Sequence, residues 1–118
     1  YGHKAGDRVL QLVAREFRER LRTTDFVARF GGEEFVVLFP ETEPADASVV
    51  VDKLREHVRK LPFHFRGEPV SVTFSAGLAG FIAGDTEESV FDRADRALYQ
   101  AKDAGRDQVM IGDSTAGQ

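Results

Sequence analysis

The chain has 118 residues, 42% of them hydrophobic and 31% charged, which is the composition of one ordinary globular domain. Its formal net charge of −4 disfavours general nucleic-acid binding, because such binding draws most of its affinity from a basic surface. The sequence has no cysteine, which excludes disulfides and thiolate metal sites, and no apolar run approaches the roughly 18–20 residues that span a bilayer.

The first predicted element is a turn over residues 1–7, followed by an amphipathic helix. Apolar residues recur there at three- and four-residue steps, at Leu10, Val13, Phe17 and Leu21. Asp7 is placed to favour the start of that helix, by capping it or through the helix dipole. Arg22 can complement the C-terminal end of the helix, and Asp25 is a typical turn residue.

Two strand-like runs follow, at residues 26–30 and 35–39. Gly31 and Gly32 lie between them, and Gly-Gly between two such runs predicts a tight hairpin. Glycine also lets a ligand approach the backbone closely, because no Cβ intervenes. The next two residues are glutamates, whose hard oxygen atoms suit Mg²⁺. Exposed hairpins in general tolerate glycines and charges, so this pattern alone leaves both interpretations open.

A second helix is predicted to begin near Pro44 and to end before Pro62. Its buried stripe would contain Ala47, Val50 or Val51, Leu54, Val58 and Leu61. Strands are predicted at residues 63–65 and at 70–76, where apolar residues alternate with serine and threonine. Gly77 follows and allows close approach of a neighbouring element.

The third helix is predicted to begin after Thr86, as its N-cap, and to end at Gly105, its C-terminal glycine. Its predicted buried positions are Val90 or Phe91, Ala94, Leu98 and Ala101. A last strand at residues 109–111 and a disordered polar tail at 112–118 complete the chain.

Two cations lie four residues apart at the end of the third helix, Lys102 and Arg106. One interpretation is that they complement the negative end of the helix dipole, worth about 1 kcal/mol or less each. The other is that both point toward one site.

Two separated motifs carry a family resemblance. Residues 31–35, Gly-Gly-Glu-Glu-Phe, resemble the signature of the GGDEF family, the diguanylate cyclases, in its Glu-for-Asp spelling. Residues 94–107 resemble the family's Ala-Asp-x-Ala-Leu-Tyr-x-Ala-Lys-x-x-Gly-Arg-Asn segment, with Asp107 in place of the asparagine. The resemblance runs from Tyr1 to about Ile111 and implies one α/β domain there. The implied fold is an α+β sandwich like nucleotide cyclases and polymerase palms, with a ferredoxin-like, antiparallel-rich central sheet flanked by helices.

The implied activity is that of a nucleotidyltransferase, which condenses two GTP molecules into cyclic di-GMP and pyrophosphate. In each GTP the 3′-hydroxyl attacks the α-phosphorus of the other, so positioning and charge neutralisation carry most of the catalysis. One domain holds one GTP, so two copies must meet as a homodimer, most simply with two-fold symmetry. Two Mg²⁺ or Mn²⁺ ions per half-site would hold the triphosphate.

The resemblance assigns the active-site roles residue by residue. Glu33 is the expected metal ligand, and Glu34 is a second ligand or an electrostatic partner. Gly31 and Gly32 let backbone N–H groups approach the phosphates. Asp7 is expected to accept hydrogen bonds from the guanine base.

At the helix end, Lys102 and Arg106 match the family residues that contact the β- and γ-phosphates. Arg22 and Asp25 match its inhibitory product site, where the arginine binds phosphate and guanine of cyclic di-GMP and the aspartate accepts from guanine. Lys53 lies near the place of a basic residue that often assists that site, and it is equally consistent with a solvated helix residue.

The family pattern also contains an upstream strand with a metal-binding Asp and, soon after it, an Asn that reads guanine. Both would precede Tyr1, and a molecule that began there should be inactive. We therefore expect a longer, active cyclase with an upstream sensory or receiver domain, located in the cytoplasm or forming the cytoplasmic part of a membrane-anchored sensor. The alternative is an inactive GGDEF domain that binds cyclic di-GMP or GTP as a regulatory module, and the intact 31–35 string favours the enzyme.

Overall fold

The computed structural model describes residues 3–29 and 34–112, without the side chains of residues 3–7, Arg29 and Phe65. In chain order the described elements are α1 (His3–Arg20), β1 (Phe26–Arg29), β2 (Phe35–Leu38), α2 (Pro44–Lys60), β3 (Phe63–Phe65), β4 (Glu68–Val70), β5 (Ala76–Leu78), α3 (Glu87–Asp103) and β6 (Val109–Ile111). The predicted mixed α/β class is confirmed. None of the described helices combines the length and the apolar character that a membrane crossing requires.

The chain divides into two compact units, and the described strands form three two-stranded sheets within them. The first unit contains Tyr1–Glu41 and His57–Val72, and the second contains Thr42–Glu56 and Thr73–Gln118. Most of α2 therefore belongs to the second unit and its last turn to the first.

In the first unit, β1 and β2 form the predicted antiparallel pair. Their register runs from Phe26 opposite Leu38 to Arg29 opposite Phe35. Helix α1 contacts β1, and the rings of Phe17 and Phe35 lie 5.8 Å apart at an interplanar angle of 58°. The buried residues of this unit include Val13, Ala14, Phe17, Val58 and Phe63. The two strands of the hairpin are thus confirmed, and residues 31–33 lie outside the described residues.

Helix α1 begins at His3, so the prediction of a turn over residues 1–7 is wrong from His3 onward. A glycine inside a helix, here Gly6, costs only about 1 kcal/mol relative to alanine. The long amphipathic stripe that follows offsets that cost, because most helical stability in proteins comes from packing of the apolar face. Asp7 therefore lies one turn inside α1 and cannot be its N-cap.

Strands β3 and β4 form the second antiparallel pair, from Phe63 opposite Val70 to Phe65 opposite Glu68. Arg66 and Gly67 connect them with φ values of 52° and 80°. Positive φ at both central residues is the signature of a type I′ turn, whose twist matches that of the flanking strands.

The predicted strand over residues 70–76 is wrong, because β4 ends at Val70 and β5 begins at Ala76. Between these strands Val72 and Phe74 are half-buried while Ser71 and Thr73 are exposed, as the alternation predicts. Alternation determines which side chains are buried, but a strand also needs a hydrogen-bonded neighbour. Residues 71–75 are not part of a strand in the structure.

Helix α2 agrees closely with its prediction. The carbonyl of Glu43 accepts from the N–H of Ala47 at 3.0 Å, which places Pro44 at the first helical position. Four positions of the predicted stripe are buried, namely Ala47, Val51, Leu54 and Val58. Val50 is exposed and Leu61 is half-buried.

In the second unit, β5 and β6 form a parallel pair, from Ala76 opposite Val109 to Leu78 opposite Ile111. Helix α3 connects these strands and packs against both, which makes a βαβ unit. A Cβ on Gly77 would collide with the backbone of Ala94 and Leu98. The predicted close approach at Gly77 is therefore confirmed, and its neighbour is α3. The predicted tail lies, from residue 113 onward, outside the described residues.

Helix α3 begins after Thr86, as predicted, with a capping box. The hydroxyl of Thr86 accepts from the N–H of Ser89 at 3.1 Å, and the hydroxyl of Ser89 accepts from the N–H of Thr86 at 2.9 Å. Val90 and Ala101 are buried, as predicted, whereas Ala94 and Leu98 are only half-buried. The other buried residues of this helix are Arg93 and Ala97.

Arg93 is buried because its charge is paired. Its guanidinium donates to both carboxylate oxygens of Asp85, at 3.1 and 2.8 Å, and to the carbonyl of Gly80 at 2.6 Å. The side chains of Arg93 and Asp85 are only 8% and 7% exposed. Hydrogen bonds from Arg93 hold the pKa of Asp85 well below its usual range. The ion pair between Arg93 and Asp85 therefore holds the loop before α3 against the helix.

The contact at Gly77 yields a stability prediction. Gly77→Ala should lower the free energy of unfolding by about 2 kcal/mol or more, because the added methyl overlaps the backbone of α3. Gly84→Ala is the matched control: a Cβ there meets no atom within 4 Å, and only the φ of 87° opposes it. We expect that control to cost about 1 kcal/mol. Urea unfolding of both variants measures the difference, and equal losses would contradict the packing at Gly77.

Candidate functional site

The predicted site residues of the first unit lie on α1 and around the β1–β2 pair. Residues 31–33 are outside the described residues, as is the side chain of Asp7, whose backbone lies on α1. Glu34 is described, precedes β2 directly and is exposed. The structure therefore describes the strands on either side of the glycines and Glu33 in the sequence, but not those residues themselves.

A carboxylate at the position of Glu34 is chemically suited to a hard divalent cation, because it is exposed and offers oxygen ligands. Within residues 3–29 and 34–112 there is no cluster of three or more His, Asp or Glu side chains that could hold a metal.

The predicted site residues of the second unit lie at the end of α3. Ala104 is the C-cap, and Gly105 follows with a φ of 119°. The N–H of Gly105 donates to the carbonyl of Lys102 at 3.4 Å, and that of Arg106 donates to the carbonyl of Ala101 at 2.9 Å. These two bonds define a Schellman motif, which confirms Gly105 as the glycine that ends the helix.

The chain stays in the left-handed region beyond this glycine. Arg106 and Asp107 have φ values of 64° and 49°. Such a conformation costs a non-glycine residue on the order of 1 kcal/mol or more, so neighbouring contacts must hold it. The side-chain amide of Gln108 donates to the carbonyls of Ala104 and Arg106, both at 3.1 Å.

Asp107 itself is held at three atoms. Its N–H donates to the hydroxyl of Ser75 at 3.0 Å. Its carbonyl and its carboxylate both accept from Nη1 of Arg55, at 3.1 and 2.9 Å. The acidic residue that replaces the expected asparagine thus has a cationic partner on α2.

Lys102 and Arg106 are both exposed at this helix end. Lys102 lies in the last turn of α3, where a cation also interacts favourably with the helix dipole. Arg106 lies two residues beyond the C-cap, where the chain has already reversed. The dipole interpretation therefore fits Lys102 better than Arg106.

The Arg22–Asp25 pair closes the turn between α1 and β1. The guanidinium of Arg22 donates to Oδ1 of Asp25 at 2.8 Å through Nη2, and the backbone N–H of Arg22 donates to Oδ2 at 2.9 Å. Nη2 also donates to the carbonyl of Pro40, just after β2, at 3.2 Å. The Arg22 side chain is 57% exposed whereas that of Asp25 is 3% exposed. Hydrogen bonding from Arg22 lowers the pKa of Asp25.

An open pocket of about 270 Å³ lies beside this pair. It is lined by Arg18, Leu21, Arg22, Thr23, Asp25, Phe26 and Val27. Phe26 is 60% exposed, so the pocket offers a flat apolar ring next to charged donors and an acceptor. Lys53, the third residue predicted for this site, is exposed on the part of α2 that belongs to the second unit.

The sequence interpretation missed several residues of these two sites. One of them is Arg18, which lines the pocket and precedes Arg22 by four residues, a helical spacing that could have indicated the shared pocket. Arg55 and Ser75 carried no such signal. They are 52 and 32 residues from Asp107, and only the fold brings them to it.

Comparisons with known proteins agree with the motifs. The family model described as "Diguanylate cyclase, GGDEF domain" matches residues 1–108. The chain is 52% identical over 111 residues to the diguanylate cyclase DgcP of Pseudomonas aeruginosa, which covers 94% of this chain and 16% of DgcP. The chain thus spans about a sixth of that relative.

Solved structures show the same similarity. The diguanylate cyclase SiaD of P. aeruginosa, solved with its activator SiaC, is 41% identical with a TM-score of 0.89, over 95% of this chain and 43% of SiaD. The GGDEF domain of DgcB from Caulobacter crescentus, solved with c-di-GMP, is 33% identical with a TM-score of 0.89, over 94% of this chain and 67% of that one.

The pKa of Asp25 yields a pH-dependent stability prediction. Because Arg22 lowers the folded-state pKa, ionised Asp25 stabilises the fold above its ordinary pKa of 3.8, and that contribution is lost as the pH falls through the lower folded value. We expect Asp25→Asn to cost about 1 kcal/mol at pH 7 and progressively less below pH 4. Urea unfolding at pH 7 and at pH 3 measures this. Asp92→Asn, at an exposed position on α3, is the matched control for the loss of one negative charge. A cost of Asp25→Asn that does not change with pH would contradict the assignment.

Proposed function

Because the chain belongs to the GGDEF family, we propose that it is the catalytic domain of a diguanylate cyclase, which condenses two GTP molecules into cyclic di-GMP with release of pyrophosphate. The observation that carries this proposal is the β1–β2 ladder. Arg29 lies opposite Phe35 at one end of this ladder, and the segment that joins the two strands there contains Gly-Gly-Glu-Glu. The proposed domain comprises residues 1–111, followed by a tail at 112–118.

The names of the similar proteins support the proposed product, cyclic di-GMP, as well as the fold. DgcP and SiaD are both diguanylate cyclases, and the DgcB domain was solved in complex with c-di-GMP. The chain matches only a part of the first two proteins, so their activity is carried over here as a proposal.

The hairpin would bind the triphosphate and the cations. Gly31 and Gly32 leave the backbone N–H groups accessible to phosphate oxygens. Glu33 would ligate the divalent ions, and the exposed Glu34 would add a second ligand or a negative charge beside them. Two bound Mg²⁺ or Mn²⁺ ions would neutralise phosphate charge and favour ionisation of the 3′-hydroxyl. Asp7 on α1, which contacts β1, would accept hydrogen bonds from guanine.

The end of α3 would bind the outer phosphates. Lys102 and Arg106 are exposed cations on either side of the Schellman turn, and Arg106 is fixed by contacts of its backbone. A planar guanidinium suits a bidentate contact with phosphate, and an ammonium acts as a point charge. Balancing phosphate charge in this way favours departure of pyrophosphate.

Two copies of the domain would meet with two-fold symmetry, each supplying one GTP. The 3′-hydroxyl of each nucleotide then faces the α-phosphorus of the other, and the dimer replaces a bimolecular encounter by a positioned one. An upstream sensory or receiver domain would control this meeting, and the cyclase would act in the cytoplasm.

Cyclic di-GMP would inhibit the enzyme at the pocket beside Arg22 and Asp25. The guanidinium of Arg22 would donate to phosphate and guanine, and the carboxylate of Asp25 would accept from guanine. In the chain alone these groups bond to each other, so the ligand would exchange one set of charged hydrogen bonds for another. Arg18 and the exposed ring of Phe26 extend the pocket with a cation and a stacking surface. Lys53 would add a further cation.

The activity prediction uses the complete protein with GTP and Mg²⁺. We expect cyclic di-GMP as the product and a loss of about 100-fold or more in Glu33→Ala, since that change removes the metal carboxylate. Cyclic di-GMP binding in Glu33→Ala should stay within about two-fold. Glu68→Ala, an exposed glutamate on β4, should retain full activity. Chromatography with mass detection measures the product. Binding of cyclic di-GMP without turnover in the unaltered protein would instead identify a regulatory module.

The inhibition prediction concerns Arg22. Arg22→Ala should raise the cyclic di-GMP concentration for half-inhibition about ten-fold or more, because it removes the bidentate donor, while kcat at low product stays within about two-fold. Asp25→Asn should act in the same direction. Arg15→Ala, an exposed arginine on α1, should leave inhibition unchanged. Initial rates at increasing cyclic di-GMP test this, and unaltered inhibition in both site variants would rule out the pocket.

A further inference from the structure

Building on the proposed function, in which Arg106 binds the outer phosphates of GTP, we propose that Arg55 is a positioning residue for Arg106. It acts through Asp107, the next residue of the chain, and so sets the affinity of the domain for the triphosphate. None of the sequence motifs includes Arg55, which is a cation within α2.

Arg55 is a nearly buried cation with an organised set of acceptors. Its side chain is 13% exposed. Nε donates to Asp52 at 2.9 Å, Nη2 to Glu56 at 2.9 Å and Nη1 to Asp107 at 2.9 Å. The hydrogen bond that Arg55 donates to the carboxylate of Asp107 is the main reason why the pKa of Arg55 is raised. Asp52 and Glu56 are on α2 itself, so they hold the guanidinium in place while its third edge reaches Asp107.

The contact with Asp107 involves both backbone and side chain. Nη1 of Arg55 donates to the carbonyl oxygen of Asp107 at 3.1 Å and to its carboxylate at 2.9 Å, and the N–H of Asp107 donates to the hydroxyl of Ser75 at 3.0 Å. The N–H, the carbonyl and the carboxylate of Asp107 therefore each have a hydrogen-bond partner. The residue cannot rotate without breaking a charged hydrogen bond.

This fixation matters because Arg106 lies in a conformation that the free chain disfavours. Its φ of 64° and the 49° of Asp107 are both left-handed. On one side the Schellman bond to Ala101 holds Arg106. On the other side the side-chain amide of Gln108 donates to the carbonyl of Arg106 at 3.1 Å, and Asp107 is held by Ser75 and Arg55. Without the charged bonds from Arg55, only the neutral bonds to Gln108 and Ser75 oppose the return of the peptide between residues 106 and 107 toward the ordinary right-handed or extended regions. That return would change the direction of the Arg106 side chain, and small displacements of a binding group reduce its effect strongly.

The residue type at position 107 supports the same conclusion. The motif that this segment resembles has asparagine here. Asparagine and aspartate both tolerate the left-handed region, so the backbone requirement is met by either. An aspartate in addition carries a charge, and Arg55 is the cation that faces it. Asp107→Asn keeps an acceptor oxygen for Arg55, whereas Asp107→Ala removes it together with the local preference for this conformation.

The test measures initial rates of the complete protein with Mg²⁺–GTP. Arg55→Ala should raise the KM for GTP about ten-fold with kcat changed less than about three-fold, and Asp107→Ala should do the same. Asp107→Asn should stay within about two-fold of the unaltered protein. Arg55→Lys should be intermediate, because an ammonium cannot serve three acceptors with a fixed planar fork. Arg96→Ala, an exposed arginine on α3, is the matched control and should leave the KM unchanged.

A double-mutant cycle separates positioning from general stability. If Arg55 acts through Arg106, then adding Arg55→Ala to Arg106→Ala should change the KM less than two-fold further. An equal ten-fold effect in both backgrounds would overturn the inference, as would an unchanged KM in Arg55→Ala or in Asp107→Ala.

Hydrogen exchange distinguishes failure of this inference from failure of the proposed function. If Arg106→Ala has no effect on the KM, the proposed phosphate role of Arg106 is wrong. The structural link is then judged by the amide of Asp107, which donates to Ser75. Its exchange should rise about ten-fold or more in Arg55→Ala relative to the mid-helical amide of Ala97, and unchanged protection would overturn the link between Arg55 and Asp107.

Discussion

Charged hydrogen bonds between arginine and aspartate hold the irregular segments of this protein. In the described part of the chain, Arg22 and Asp25 close the turn after α1, and Arg93 and Asp85 fasten the loop before α3. Arg55 fixes the turn after α3 through Asp107 in the same way. The strands are only three or four residues long, so their ladders cannot by themselves determine the loops between them. Charge-assisted hydrogen bonds are shorter and stronger than neutral ones and are directional. They can therefore fix loop conformations that the short strand ladders do not determine.

Arg93 and Arg55 hold the structure and differ in exposure from the groups at the helix and strand ends that are proposed to bind a ligand. The guanidinium of Arg93 is almost fully buried and that of Arg55 nearly so, and both are committed to carboxylates. Lys102, Arg106 and Glu34 are exposed at the ends of regular elements. Binding groups placed on such ends can contact a ligand while the scaffold stays rigid. A protein of net charge −4 can in this way present local cations to a polyphosphate without a generally basic surface.

Much of the local structure could be predicted from the residues because its causes are local. Pro44 begins α2, Thr86 caps α3 and Gly105 ends it, since each residue type has a backbone conformation or a side-chain acceptor that suits its position. The period of the apolar residues likewise predicted the helices, and Gly-Gly between two strand-like runs predicted the β1–β2 pair. The strand predicted over residues 70–76 was wrong for the opposite reason. Its alternation is local, but pairing depends on a partner from elsewhere in the chain.

The family follows from the sequence alone, through the Gly-Gly-Glu-Glu-Phe string and the motif at the end of α3, and so do the residue types on which the proposed metal and phosphate contacts rest. The tertiary structure alone decided which charges are structural. Arg93 is buried and Arg96 is exposed on the same helix, and Arg55 lies 52 residues from its partner Asp107. The physical reason is that the free energy of a charge depends on its surroundings. A guanidinium becomes stable in the interior only when the fold brings an acceptor to it, and that acceptor can lie anywhere along the chain.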